Sequence, residues 1–155
     1  MIVYTGGTFD LFHSGHVNFL RQCKLLADKV DPFITLMNPA KIPPRKLIVS
    51  LNSDKFIKDF KGKAPIYSYD ERETLLRGCR YVDDVILNID GADSRKAIES
   101  VMPDIIAIGS DWAKKDYYKQ MGFTQDWLDE KDIMLVYIPY TEGISSSELK
   151  RRIIE

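Results

Sequence analysis

The chain has 155 residues, 45% hydrophobic and 29% charged, with 22 basic side chains against 23 acidic ones. That composition excludes a disordered chain and fits one folded domain with its own core. A formal charge of −1 leaves no basic excess to neutralise a nucleic-acid backbone, so no nucleic-acid partner is expected, although a local pocket can still be basic enough for a small anion.

The amino-terminal MIVYT reads as a short buried strand closed by the glycine turn Gly6-Gly7. From Gly15 onward, Val17, Phe19, Leu20, Leu25, Leu26 and Val30 recur at helical spacing among polar residues. The stretch from Asp31 to Lys46 then breaks the pattern. Connections in α/β units run about 2–6 residues, and Pro39, Pro43 and Pro44 stop a helix through its second half. Residues 31–46 therefore read as an insertion, with FITLM a candidate short strand inside it.

LIVSLNSD is a second apolar strand, followed by Lys55, Lys58, Lys61 and Lys63 on or near a loop. Ser68 with Glu71 three positions later predicts a capping-box helix start in SYDERETLLRGCRYV. DDVILNI and PDIIAIGS read as strands with the helix-like DSRKAIESVM between them. KDIMLVYIPY is a last strand and SSSELKRRIIE a closing helix, where Ser145 and Glu148 predict another capping box.

Strands and helices alternate, and the strands are continuous apolar runs, as in a parallel sheet covered on both faces. The expected fold is α/β: a Rossmann-like doubly wound parallel sheet in a single domain spanning 1–155. Its ligand site is expected at the carboxyl ends of the strands, where Gly6-Gly7, Asn52-Ser53 and Gly109-Ser110 close three of them. Cys23 and Cys79 form no C-x-x-C pair, so neither a redox dithiol nor a zinc knuckle is indicated. Reduced thiols, no signal-type amino terminus and no apolar run near the ~20 residues that cross a bilayer lead to an expectation of a cytoplasmic protein without a membrane partner.

The stretch GGTFDLFHSGH, residues 6–16, holds both histidines of the chain. Glycines after a strand let backbone N–H groups approach a phosphate, Thr8 adds a hydroxyl, and a helix starting near Ser14 adds positive dipole. Two imidazoles there could each donate an N–H to oxygens on phosphorus. A metal pair is the rival, but it needs a third ligand and no other histidine exists. Histidines without chemistry are the other. At the far end, Ser145 to Ser147 fall at a helix N-terminus and suit phosphates, or form only a cap. The lysine cluster reads either as a solvated face or as a phosphate site.

GTFDLFHSGH resembles the H-x-G-H signature of the nucleotidyltransferase superfamily, and TEGISSS is similar to its second signature. LNSDKF, RYVDDV and GSDW stand between them in the family's order. The resemblance covers nearly the whole chain and is strongest to the cytidylyltransferases, those acting on glycerol 3-phosphate in particular. It implies direct transfer of CMP from CTP to a small phosphorylated alcohol, glycerol 3-phosphate being favoured, with pyrophosphate leaving and no covalent intermediate. It also implies Mg2+ or another divalent cation accompanying the triphosphate, with no protein side chain assigned as a metal ligand, and a homodimer.

By the same resemblance, His13 and His16 hold the α-phosphate and its transition state, with Gly7, Thr8 and Phe9 in the pocket wall. Lys61 takes the substrate phosphate and Lys63 the CTP. Asp111, beside Trp112, meets the base or the ribose. Tyr140, Thr141, Glu142, Gly143, Ile144, Ser145, Ser146 and Ser147 bind the nucleotide. Asp10 and Arg95 are candidate substrate contacts, with a turn-forming role the rival for Asp10. Arg80, Tyr81 and Asp83 fall in a segment that lies at the family's dimer contact. Tyr140 departs from the pattern, since the family commonly has arginine there, and Lys150, Arg151 or Arg45-Lys46 are candidates to compensate. The alternatives are an adenylyltransferase of the same superfamily, acting on a sugar phosphate or cofactor precursor, and a nucleotide-binding relative without turnover.

Overall fold

The computed structural model describes residues 1–29, 36–38, 40 and 42–155. Among these, β1 (Ile2–Gly7), β2 (Lys46–Leu51), β3 (Asp84–Leu87), β4 (Ile105–Gly109) and β5 (Met134–Ile138) form one sheet in the order β3-β2-β1-β4-β5. All its pairings are parallel. Successive side chains on a strand point to opposite faces. Val3 thus joins Leu20, Leu47 and Leu76 in one core, while Tyr4 joins Ile98, Ile106 and Leu128 in a second. Both faces need apolar side chains, which is why the strands read as unbroken apolar runs.

Seven helices cover the sheet among the described residues: α1 (Ser14–Asp28), α2 (Asp54–Lys61), α3 (Tyr69–Gly78), α4 (Arg95–Val101), α5 (Tyr117–Met121), α6 (Gln125–Glu130) and α7 (Ser146–Ile154). Helix α1 buries Leu20, Cys23 and Ala27, a stripe at spacings of three and four. Leu25, expected on that stripe, is instead 53% exposed; Val30 lies outside the described residues. Helix α3 starts at the predicted box, with Ser68 Oγ accepting from Glu71 N–H and Glu71 Oε2 accepting from Ser68 N–H.

Of the lysines expected on or near a loop, Lys55, Lys58 and Lys61 lie on helix α2 and Lys63 follows it outside the helix; Ser53 caps the helix start and Gly62, at φ 75°, closes it in the left-handed conformation. Helices α5 and α6 and a 3-10 turn over Ser110–Lys114 fill a region the sequence reading left unassigned. At α7, Ser145 Oγ accepts from Glu148 N–H as expected, but the Glu148 carboxylate turns to Arg151 and Arg152. The box therefore closes on one side only. Seven of the sixteen residues of the expected 31–46 insertion, among them the first three of FITLM, lie outside the described residues, and Lys46 is the first residue of β2, paired with Ile2.

The chain reverses direction across the sheet between β1 and β4. These two strands are in register only at Val3–Ile105 and Tyr4–Ile106. Beyond Tyr4 they diverge, and the gap between their carboxyl ends is the crevice where doubly wound sheets bind ligands.

Candidate active site

The turn after β1 is held in an unfavourable shape by two side chains. Phe9 and Leu11 both have left-handed backbones, at φ 50° and 48°, a conformation that costs of order 1–3 kcal/mol per non-glycine residue unless its surroundings enforce it. Asp10, between them, accepts from the N–H groups of Ile66 (2.8 Å), Tyr67 (2.9 Å) and Leu11 (3.1 Å). Arg72, fully buried, donates to the Thr8 carbonyl (2.8 Å), the Tyr67 carbonyl (3.1 Å) and Asp54 Oδ1 (2.6 Å). The turn is thereby fastened to α2 and α3. Of the two readings of Asp10, these contacts favour the turn-forming one, because backbone amides occupy both carboxylate oxygens.

The two histidines cap α1 reciprocally. His13 Nδ1 accepts from Gly15 N–H at 3.1 Å, and His16 Nδ1 accepts from His13 N–H at 3.2 Å. A nitrogen that accepts carries no proton, so in both neutral rings the proton sits on Nε2. The rings stack with centroids 3.8 Å apart, and Phe9 and Phe12 pack on His16. Burial, then the adjacent His13, push the His16 pKa down to about 4 against a weaker opposing pull from Asp10. Burial lowers His13 as well. At neutral pH the pair is a fixed, uncharged set of two Nε2–H donors.

Gly15 follows from the same packing. A Cβ there would stand 2.9 Å from the His13 ring and 3.1 Å from Ile144 Cγ2, so only glycine lets the helix start meet both signatures.

Both imidazoles open on a cleft of about 570 Å3 between β1 and β4. Its far wall is the start of α7. Ser145 Oγ takes the Glu148 N–H, while the N–H groups of Ser146 and Ser147, at the positive dipole end of this nine-residue helix, have no intrahelical partners. Ser146 Oγ donates to the Asp10 carbonyl at 2.9 Å, which ties α7 to the β1 turn. Lys61, the last residue of α2, lines this cleft and an adjoining smaller cavity. Burial lowers its pKa, Asp10 raises it, and Lys150, Lys63 and Arg72 lower it further.

Of the residues singled out by sequence, Gly7, Phe9, His13, His16, Lys61, Asp111, Tyr140, Thr141, Ile144, Ser145, Ser146 and Ser147 line the cleft together. Thr8 lines the smaller cavity. Asp10, Lys63, Glu142, Gly143 and Arg95 line neither, and the Arg95 guanidinium is engaged by Asp93 at 2.6 Å. The Tyr140 hydroxyl donates to the Ile144 carbonyl at 3.3 Å, while its N–H donates to Ser110 Oγ. The phenol braces the loop in which it sits. Arg45 and Lys46 are corrected as candidates to compensate for it, because Lys46 begins β2 at the amino edge of the sheet. Six residues at ~3.3 Å separate that edge from the cleft.

Sequence reasoning missed Arg72, Asn88 and Lys115. Asn88 sits just past the end of β3, as Asn52 does past β2, and the rule that singled out Asn52-Ser53 could have flagged it too. Lys115 lines the cleft with its ammonium 4.8 Å over the Trp112 ring. Nothing in the one-dimensional pattern marks Arg72, which looks like any exposed helix arginine.

A family model described as cytidylyltransferase-like matches residues 4–152. The FAD synthase of Pyrococcus horikoshii is 37% identical over 99% of this chain and 92% of its own. The glycerol-3-phosphate cytidylyltransferase of Bacillus subtilis is 32% identical over 97% of this chain and 95% of its own. Among solved structures, the lipopolysaccharide core biosynthesis protein of Thermoplasma volcanium superposes with a TM-score of 0.65 at 26% identity, covering 93% of this chain and 98% of that one.

Proposed function

The chain belongs to the cytidylyltransferase-like family and is a nucleotidyltransferase; from that premise we propose that it transfers CMP from CTP to a small phosphorylated alcohol, with glycerol 3-phosphate favoured. A phosphate oxygen of the alcohol phosphate attacks the α-phosphorus of CTP. The α–β phosphoanhydride bond breaks, pyrophosphate leaves, and a CDP-alcohol remains. Such chemistry asks the protein for positioning and charge stabilisation rather than covalent participation.

One observation carries the reading. Two backbone-locked imidazoles present Nε2–H donors to a cleft whose opposite wall is an open helix N-terminus. Donors fixed before the reaction stabilise the charge that builds on the α-phosphate oxygens without reorganising. The amides and hydroxyls of Ser145–Ser147 suit the β- and γ-phosphates. Lys61, at the junction of the two cavities, suits the incoming phosphate, with Lys63 adding positive potential nearby.

A magnesium ion would take its oxygens chiefly from the triphosphate, as it does in most phosphoryl-transfer sites. Among the described residues no cluster of three or more His, Cys, Asp or Glu side chains is poised to cage a metal, and Asp111 is the carboxylate in the cleft wall. When bound, the ion neutralises the leaving pyrophosphate.

The segment that resembles the family's dimer contact supports a homodimer. Phe12, Val17, Leu75, Cys79, Arg80 and Tyr81 line one depression beside the histidine turn, whereas Asp83 is bound to Lys24 and the Leu47 N–H. Cys23 and Cys79 are free thiols, compatible with the cytoplasm. Among the described residues no helix is long and apolar enough to cross a membrane.

The FAD synthase relatives favour a second reading, transfer of an adenylyl group to a cofactor precursor. A pyrophosphate-release screen crossing the four ribonucleoside triphosphates with phosphorylated alcohols and FMN separates them. Turnover with CTP and an alcohol phosphate is expected; turnover with ATP and FMN alone replaces the first reading with the second.

A further inference from the structure

Position 140 brings no charge to the cleft, and its phenol is bonded to the Ile144 carbonyl. The start of α7 offers amides, hydroxyls and a partial positive charge, whereas a triphosphate carries several full negative ones. The arginines of α7 are engaged within their own helix end. Arg151 is paired with Glu148 and Glu155, and Arg152 with Glu148. Lys150 lines neither cavity. Among the described residues that line the cleft, none is an arginine and two are lysines, Lys61 and Lys115. Lys61 also lines the smaller cavity and suits the incoming phosphate. Lys115 is left without a role.

Lys115 closes the 3-10 turn that follows β4. Its N–H donates to the Trp112 carbonyl at 3.0 Å, and its carbonyl accepts from the Tyr117 N–H at 2.9 Å. The backbone is thus fixed on both sides of the residue. The side chain is exposed and forms no ion pair among the described residues, not even with Asp111 in the same wall. Its ammonium rests 4.8 Å over the Trp112 ring, a contact that is weak at exposed sites. The same turn is fastened to the loop of position 140, because the Tyr140 N–H donates to Ser110 Oγ at 3.1 Å. Strands β4 and β5 are neighbours in the sheet, so both residues enter one cleft from adjacent strand ends.

Resting on the nucleotidyl-transfer reading, we infer that Lys115 supplies to the triphosphate the full positive charge that Tyr140 does not, reaching it from the end of β4 rather than from the end of β5. The flexible four-carbon stem lets the ammonium leave the Trp112 face for a phosphate oxygen. That exchange gives up a weak cation–π contact for a charge-assisted hydrogen bond and breaks no ion pair. The contact is to phosphate and not to the base, so it holds for any nucleoside triphosphate that the cleft admits. With the charge delivered by Lys115, position 140 is free to carry a phenol that braces its own loop.

Calorimetric titration of the unaltered protein and of Lys115→Ala with CTP and with CMP, which lacks the β- and γ-phosphates, tests this. Lys115→Ala should weaken CTP about tenfold, the size of one lost charge-assisted contact at a partly exposed site, and CMP by less than about twofold. Lys115→Arg should keep CTP affinity within about threefold of the unaltered protein. On the Lys115→Ala background, Tyr140→Arg should recover most of the loss. That gain should exceed the gain from Tyr140→Arg alone, since two like charges no longer share the cleft. The melting temperature of Lys115→Ala should not change, because the side chain is exposed. Unchanged CTP affinity in Lys115→Ala overturns the inference. So does an equal weakening of CTP and CMP, which would put Lys115 at the base or ribose, or a strictly additive response to the two substitutions. Parallel titrations with ATP and AMP and pyrophosphate-release assays separate the two levels. Turnover from ATP alone, with ATP weakened about tenfold by Lys115→Ala, removes the CTP reading and leaves Lys115 in place; turnover from CTP with an indifferent Lys115 does the reverse.

Discussion

Ser146 Oγ donates to the backbone carbonyl of Asp10 at 2.9 Å, joining segments 136 residues apart. This one bond holds the start of α7 against the histidine turn, so the distance between phosphate-binding amides and imidazole donors depends on it. Ser146→Ala should lower kcat about tenfold and cost about 1 kcal/mol of stability, a fall in Tm of roughly 2–4 °C. Steady-state kinetics and a melting curve on the same sample check both. An unchanged kcat would mean that packing through Ile144 alone sets the spacing.

Replacing His13 or His16 with alanine should lower kcat by about two orders of magnitude or more, the usual size for a lost transition-state donor, with a smaller change in CTP affinity. Gly15→Ala should act through the same clamp. Its new methyl group meets the His13 ring at 2.9 Å and must displace it. A Gly15→Ala enzyme that keeps its full kcat would show that the ring position is not critical.

The histidine box also sets an acid limit. Protonating His16 at Nδ1 would break its acceptance of the His13 N–H and place charge in a buried stack. Its folded pKa, about 4, lies below the ordinary value of 6.5, so the unfolded chain binds the proton first. Stability from this group is therefore complete above about pH 6.5 and is lost as pH falls toward 4, by on the order of 3 kcal/mol in all. Urea denaturation between pH 7 and 4.5 should show this slope, and His16→Gln should flatten it. The acid limb of kcat should correspondingly fall below the usual histidine range.

Arg72 is the buried fastener of the strained turn. Arg72→Ala would leave the Thr8 and Tyr67 carbonyls without their donor and release Asp54. A cost of about 2–4 kcal/mol is expected, less than for a fully buried ion pair because Asp54 is half exposed. Thermal unfolding should register it as a fall of roughly 5–15 °C. Arg72→Lys should recover little, since one ammonium cannot span three acceptors in a plane.

The alternation of strands and helices was legible because burial on both sheet faces imposes apolar runs of strand length, and β-branched content marks those runs as strands. The histidine turn was legible because glycines, a cap and two imidazoles fall in eleven consecutive residues. Helix α2 was not, since its lysine-rich face hides the single buried Ile57. Helices α5 and α6 are only five and six residues long and give no periodicity to read. Lys115 was invisible for a different reason. Its significance is a cation in the cleft wall left without an ion pair among the described residues, and pairing is a property of three-dimensional neighbours.

Tyr140 lies in the cleft wall where the family commonly carries arginine. Its phenol is engaged with the Ile144 carbonyl, so it steadies the loop without offering a charge to the triphosphate. Tyr140→Arg should add a charge-assisted fork and tighten CTP about tenfold, or roughly 1.4 kcal/mol. Two effects oppose it. The brace on Ile144, which packs on Gly15, is lost, and the new guanidinium must share the cleft with Lys115. A gain in affinity accompanied by a lower kcat would show that the brace serves the histidine side of the site; a gain without that loss would assign Tyr140 to nucleotide affinity alone. Half-exposed as position 140 is, the gain should shrink as salt rises from 0.05 to about 0.5 M. CTP titrations across that range decide the matter, and unchanged affinity at every salt concentration would remove position 140 from the nucleotide contacts.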